Sequence, residues 1–159
     1  MDSVAITAFL QENYPEPPFI LTSDLGQTIE KRSRGAIGKA FRVSIAPREL
    51  AILSPRSQEY FRKAREAELG HALEDLLVGE DEVWASVAEE QQAVSDLIET
   101  NALNGPFVVG MIPSATDFFI AGALQSARIV EPDVLERILK FRGFAQIFEA
   151  CQPWMNIDE

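Results

Sequence analysis

Residues 110–125 read Gly-Met-Ile-Pro-Ser-Ala-Thr-Asp-Phe-Phe-Ile-Ala-Gly-Ala-Leu-Gln, and they constrain the fold more than any other stretch. Ser114 and Asp117 stand at capping-box spacing, with Asp in place of the usual Glu. The Ser114 side chain can accept from the Asp117 amide, and the Asp117 carboxylate can reach back to the Ser114 amide. That carboxylate also sits on the positive end of the helix dipole. Pro113 before the cap and Phe118 after the box suit a hydrophobic staple. From Phe118 to Leu124 every residue is apolar. A helix without a polar face is wrapped by others on every side. Gly122 and its flanking alanines let neighbouring backbones come close. The expectation is an all-α bundle whose central helix covers 114–128.

The remaining segments carry helix signals as well. Residues 2–13 read as a helix capped by Asp2 or Ser3, with Val4, Ile6, Phe9 and Leu10 on an apolar face. The Tyr14-Pro-Glu-Pro-Pro run stops it, because proline lacks the amide and disfavours helix in the residue before. A linker follows, and the next helix spans 25–44, interrupted by Gly35 and Gly38. A long helix over 56–77 places Phe61, Leu69, Ala72, Leu73 and Leu76 on one face at about 100° per residue. Arg65 projects into that stripe, which calls for a buried ion pair or a stem that reaches water. A helix over 82–100 turns Trp84, Val87, Ala88, Val94 and Ile98 inward. Two short helices, 132–140 and 143–151, separate at Gly143. No alternating strand pattern stands out.

Length and charge narrow the function. At 159 residues the chain is one domain with room for a sizeable core. No apolar run approaches the ~20 residues that span a bilayer. The N-terminus lacks the regions of a signal peptide. One cysteine excludes an internal disulfide and fits a reducing, cytoplasmic setting. With one histidine and no cysteine cluster, no metal site is expected. The net charge of −11 argues against nucleic acid. Its distribution is uneven. Ten of the fourteen Lys and Arg fall between Lys31 and Arg65 beside two acids, Glu49 and Glu59, a local charge of +8. From Glu66 to Asn104 there are eleven acids and no Lys or Arg. Two readings fit: adjacent helices neutralise each other, or part of the basic segment lines a cleft for an anion.

The Gly-x-x-Pro-Ser-x-x-Asp-Phe motif at 110–118 resembles the N-capping box of the C-terminal domain of glutathione transferases. Residues 2–15 resemble the last helix of the thioredoxin-like half of that family. Residues 61–70 and 149–154 resemble its fungal, etherase-like branch. The resemblance implies a remnant thioredoxin-like helix at 1–14, a linker at 15–24 and a helical domain at 25–159. The strands and first helices of the thioredoxin-like half have no counterpart in this sequence.

The resemblance also assigns residues. Asp2 and Ser3 match the helix start that holds the γ-glutamyl end of glutathione, and a helix N-terminus does bind carboxylates. The thiol-activating residue and the cis-proline loop of that site are not in this sequence, so glutathione is expected to bind weakly or not at all. Ser3 as a plain cap is the competing reading. The family's hydrophobic-substrate wall falls on the 25–44 helix, where spacing puts Glu30, Arg34, Ile37, Phe41 and Ile45 near one face with room at Gly38. Arg34, Arg42 and Arg65 are the candidate catalytic cations, since a guanidinium fork grips a carboxylate in two places. Arg62 and Glu66 pair at i, i+4. Trp154 lies on a tail that the family often folds over the substrate; packing on the bundle competes. His71 reads as an exposed helix residue and Cys151 as a small buried hydrophobe.

The leading expectation is a glutathione-independent transferase-like enzyme without the usual catalytic half. It would isomerise, cyclise or eliminate from a hydrophobic, anionic small molecule in secondary metabolism. The alternative is a non-catalytic ligand-binding or interaction module, or a fragment of a full-length transferase. A homodimer is expected from apolar surface that the family buries against the thioredoxin-like half, and a separate thioredoxin-like chain is a further candidate partner.

Overall fold

The computed structural model of the chain describes residues 3–16, 20–21 and 23–155. Seven α-helices follow in order: α1 (Ser3–Asn13), α2 (Asp24–Ser44), α3 (Pro55–Leu69), α4 (Glu80–Ile98), α5 (Ala115–Val130), α6 (Pro132–Leu139) and α7 (Arg142–Met155). Short 3₁₀ segments at Glu49–Ile52, Leu73–Leu77 and Glu99–Asn104 link them. Among the described residues there is no strand, only two isolated bridges, one of which ties Ile20 to Ser114. The all-α bundle is as expected.

Local chemistry sets the helix starts. The Ser23 hydroxyl accepts the Gly26 amide at 3.0 Å and begins α2. Ser54 caps α3, and Pro55 occupies its first turn, where a missing amide costs nothing. The capping box at Ser114 and Asp117 forms. The Asp117 carboxylate takes the Ser114 amide at 2.8 Å, the Ser114 hydroxyl at 2.6 Å and the Val108 amide at 2.9 Å. Both residues are buried. The third bond fastens the preceding loop to the helix, which spacing alone does not reveal.

Packing centres on α2, α4, α5 and α7. Ile29, Val94, Ile98, Ile120, Leu124, Phe144 and Ile147 are fully buried in one apolar core, each such side chain stabilising the fold by about 1.5–3 kcal/mol. Polar contacts set the α2–α4 register. Trp84 Nε1 donates to Ser44 Oγ at 2.9 Å, and Arg32 grips Glu90 at 2.6 and 2.8 Å.

Four expectations need correction. The helix expected over 56–77 breaks at Gly70, whose φ of 77° is left-handed and closes α3; Leu73–Leu77 is a separate 3₁₀ turn. Arg65 therefore does not enter an apolar stripe. Its side chain is 51% exposed and pairs with Glu68 at 3.1 Å, so it anchors no buried ion pair. Helix α5 is not wrapped on every side: Gly122, Ser126 and Ile129 are exposed, and a Cβ at Gly122 would meet nothing within 4 Å. Gly143 does not separate two helices. It lies inside α7, where a Cβ would meet Ser95 O at 2.4 Å, so this glycine is the close approach of α7 to α4.

Candidate functional site

Helix α5 leaves an opening where it runs beside α2. Ser33, Arg34, Ile37, Gly38 and Phe41 of α2 face Phe119, Ile120 and Ala123 of α5 across a groove of about 360 Å³. Ligand sites of small molecules begin at about 300 Å³. The walls are apolar. At the rim the Arg34 guanidinium lies 4.4 Å from the centre of the Phe119 ring, a favourable cation–π distance. Arg34 makes no ion pair among the described residues. Ser33 is 1% exposed, and its hydroxyl has no hydrogen-bond partner. A buried polar group without a partner costs about 1–3 kcal/mol, so such groups are rare.

A second cavity, of about 410 Å³, opens on the other side of Phe41, which lines both. Arg42, Ile45, Glu49, Arg65, Glu68 and Leu73 are among its walls. Burial pushes the Glu49 carboxyl up from its ordinary value, and the nearby Arg65 charge pulls it back. Two arginines face two glutamates here, so the cavity is formally neutral, whereas the Arg34 groove carries one cation and no acid.

The expected site residues thus divide. Arg34, Ile37, Gly38 and Phe41 come together in the groove. Arg42, Ile45 and Arg65 belong to the second cavity. Glu30 sits a turn before Arg34 and accepts the Thr116 hydroxyl at 2.8 Å, linking α2 to α5. Trp154 lies elsewhere, edge-on to Phe118 at 5.5 Å and Phe107 at 6.1 Å. Asp2 and the side chain of Ser3 lie outside the described residues. Sequence reasoning missed Ser33, Phe119 and Ala123. Ser33 left a signal: it interrupts the i, i+4 apolar row Ile29–Ser33–Ile37. Phe119 left none, since an unbroken apolar run does not say which side stays open.

Part of the basic segment is neutralised from the acidic one, while Lys31, Lys39, Arg56 and Lys63, like Arg34 and Arg42, form no ion pair among the described residues. Arg48 meets Glu80 at 3.0 Å, and Arg62 meets Glu66 at 2.8 Å and Glu74 at 2.7 Å. The Arg62 bonds hold the Glu74 carboxyl down at about 2. His71 is exposed, as expected, but stands in the turn after Gly70 and not on a helix. Cys151 is fully buried; burial first, then the charge of Asp117, push its thiol up to about 12, so it is no nucleophile near neutral pH. No described group of His, Cys, Asp or Glu has the arrangement of a metal site. No described helix is long and apolar enough to cross a membrane.

Comparison with known proteins agrees with this architecture. Residues 25–154 match the family model "Glutathione S-transferase, C-terminal domain". The glutathione S-transferase-like protein ustS of Aspergillus flavus is 22% identical over 98% of this chain, which spans 61% of that relative's length. Glutathione transferase GSTFuA3 from Phanerochaete chrysosporium superposes with a TM-score of 0.78 at 23% identity, over 99% of this chain and 66% of its own. A glutathione S-transferase of Ceriporiopsis subvermispora, solved in complex with glutathione, gives 0.76 at 24% identity, over 99% and 67%. These structural likenesses show the fold, and the family model covers most of the chain. With its capping box, its helix order and that match, the chain belongs to the glutathione S-transferase C-terminal domain family.

Proposed function

We propose that the α2–α5 groove binds a hydrophobic, negatively charged small molecule without glutathione, and that the protein isomerises, cyclises or eliminates from it in small-molecule metabolism. One observation carries the reading: the buried, unpartnered Ser33 hydroxyl lines an apolar groove whose rim cation, Arg34, has no counter-ion. In this reading Ile37, Phe41 and Phe119 hold the apolar body in one orientation. Arg34, kept flat by the Phe119 ring, receives the anionic group or the negative charge that develops during reaction. Orientation and charge stabilisation are the two means available, since no groove residue is a conventional general base. Kinship to a glutathione S-transferase-like protein of a fungus supports a place in small-molecule chemistry.

The test is a fluorescence titration with anilinonaphthalene sulfonate, an anionic apolar probe. Arg34→Ala weakens its binding about tenfold, ~1.4 kcal/mol, with the melting temperature unchanged. Arg42→Ala weakens it much less, and added glutathione has no effect. Binding indifferent to Arg34→Ala, or tight glutathione binding by calorimetry, overturns the reading. A substrate screen with and without glutathione then separates enzyme from carrier.

A second reading, an interaction module, rests on the surface of α1. Ile6, Phe9 and Leu10 are 43%, 61% and 48% exposed, and Tyr14 beyond them 70%. Apolar patches of this kind mark interfaces, here with a second copy of the chain or a thioredoxin-like chain. Sedimentation at micromolar concentration showing only monomer sinks the dimer.

A further inference from the structure

The second cavity has a charge pattern unlike that of the groove. Arg42 and Glu49 both line it, and neither forms an ion pair among the described residues. The other two charges, Arg65 and Glu68, already satisfy each other at 3.1 Å. The floor is apolar: Ile45 and Leu73 are buried, and Leu76 completes it. An unpaired cation and an unpaired anion facing one apolar hollow match a ligand that carries both charges on an apolar body. A molecule with one charge would leave the opposite wall charge unanswered, and discrimination of this kind is strong when a binding group is left unpaired.

We propose that the cavity between Phe41 and Leu73 is a second binding site, selective for an apolar zwitterion of free α-amino-acid type, with Arg42 receiving its carboxylate and Glu49 its ammonium. A guanidinium presents a planar fork to a carboxylate. Burial disfavours the ionised form of Glu49, the Arg65 charge offsets this only in part, and an incoming ammonium would add a direct partner. The volume of about 410 Å³ accommodates an aromatic amino acid with water to spare. Ser126 adds a hydroxyl at the α5 wall, already donated to Gly122 O at 2.9 Å, which leaves its lone pairs to accept from the ligand. This site is independent of the Arg34 groove, although Phe41 touches both.

The experiment is calorimetry on the full chain with three probes that share one ring: L-tryptophan, tryptamine with the ammonium alone, and indole-3-propionate with the carboxylate alone. L-Tryptophan binds at least about tenfold tighter than either. Arg42→Gln lowers the affinity for L-tryptophan to that for tryptamine and leaves tryptamine binding unchanged, which also reports an intact cavity. Glu49→Gln does the reverse, bringing L-tryptophan to the level of indole-3-propionate. Arg34→Ala leaves all three unaffected while it weakens the naphthalene probe, so the two sites fail separately. Equal affinity for the three probes overturns the proposal. So does L-tryptophan binding that ignores both substitutions or follows Arg34, and so does an absence of binding at millimolar concentration.

Discussion

Asp117 and Ser33 are equally buried, at 0% and 1% exposure, and they face opposite fates. Asp117 carries a charge, the costlier group to bury, yet three donors from Ser114 and Val108 surround it. Ser33 carries only a hydroxyl, and nothing meets it. The first arrangement lowers the energy of the folded chain by itself. The second leaves a cost of about 1–3 kcal/mol in the folded chain. Burial alone therefore does not say whether a polar group is satisfied; its partners do.

The largest expected effect tests the satisfied partner. Asp117→Ala strands two amides and a hydroxyl in the core, and the loss is about 3 kcal/mol or more, read as a fall in the urea midpoint. Ser114→Ala, which removes the cap and one of the three donors to Asp117 but leaves both amide bonds, costs less, ~1 kcal/mol. Equal and small effects of the two would mean that the Val108 bond adds nothing.

Next comes packing around the same helix pair. Gly143→Ala forces a methyl onto Ser95 O and Ile98 and destabilises by about 2 kcal/mol. Gly122→Ala, pointing into open space on the exposed side of α5, stabilises by ~0.5–1 kcal/mol. A loss at Gly122 comparable to that at Gly143 would mean that this side is not open.

Cys151 extends the comparison to a group kept neutral by burial and by Asp117. Its folded value near 12 exceeds the ordinary value of 9.0. The contribution is therefore complete below pH 9 and is lost as pH rises toward 12, because the unfolded thiol ionises first. Between pH 9 and 10.5 the wild type should lose about 1 kcal/mol per pH unit more than Cys151→Ala. Parallel alkaline profiles from urea unfolding would remove the thiol from the account.

The smallest effect concerns Ser33 itself. Ser33→Ala removes an unanswered hydroxyl, so stability holds or rises by up to ~1 kcal/mol, while affinity for the naphthalene probe falls. A loss of stability like that of Ser114→Ala would show a hidden partner and collapse the contrast.

The sequence by itself determined much of this molecule. Helix starts are local chemistry, so the box of Ser114 and Asp117 is legible as written. The Arg62–Glu66 pair follows from helical spacing, and the inward face of α4 from periodicity. The alternation of a basic and an acidic segment left cross-helix pairing as one of two readings, and Arg48 and Arg62 make such pairs. Half of the candidate site was legible too, because Arg34, Ile37, Gly38 and Phe41 share one helix face.

Only the tertiary structure decided the other half. Phe119 and Ala123 lie some eighty residues beyond Arg34, and no local rule states which side of an all-apolar helix its neighbours leave open. The separation of Arg34 from Arg42 into two cavities depends on Phe41 standing between them, and one turn along a helix gives no sign of that. Gly70 breaks what periodicity continues, since the apolar spacing of 61–76 fits an unbroken helix, and the left-handed turn turned Arg65 from a core charge into a surface one. Sequence patterns report what a residue prefers along its own element. Which groups end up facing one another, and which are left without a partner, depends on contacts between elements, and those exist only once the chain has folded.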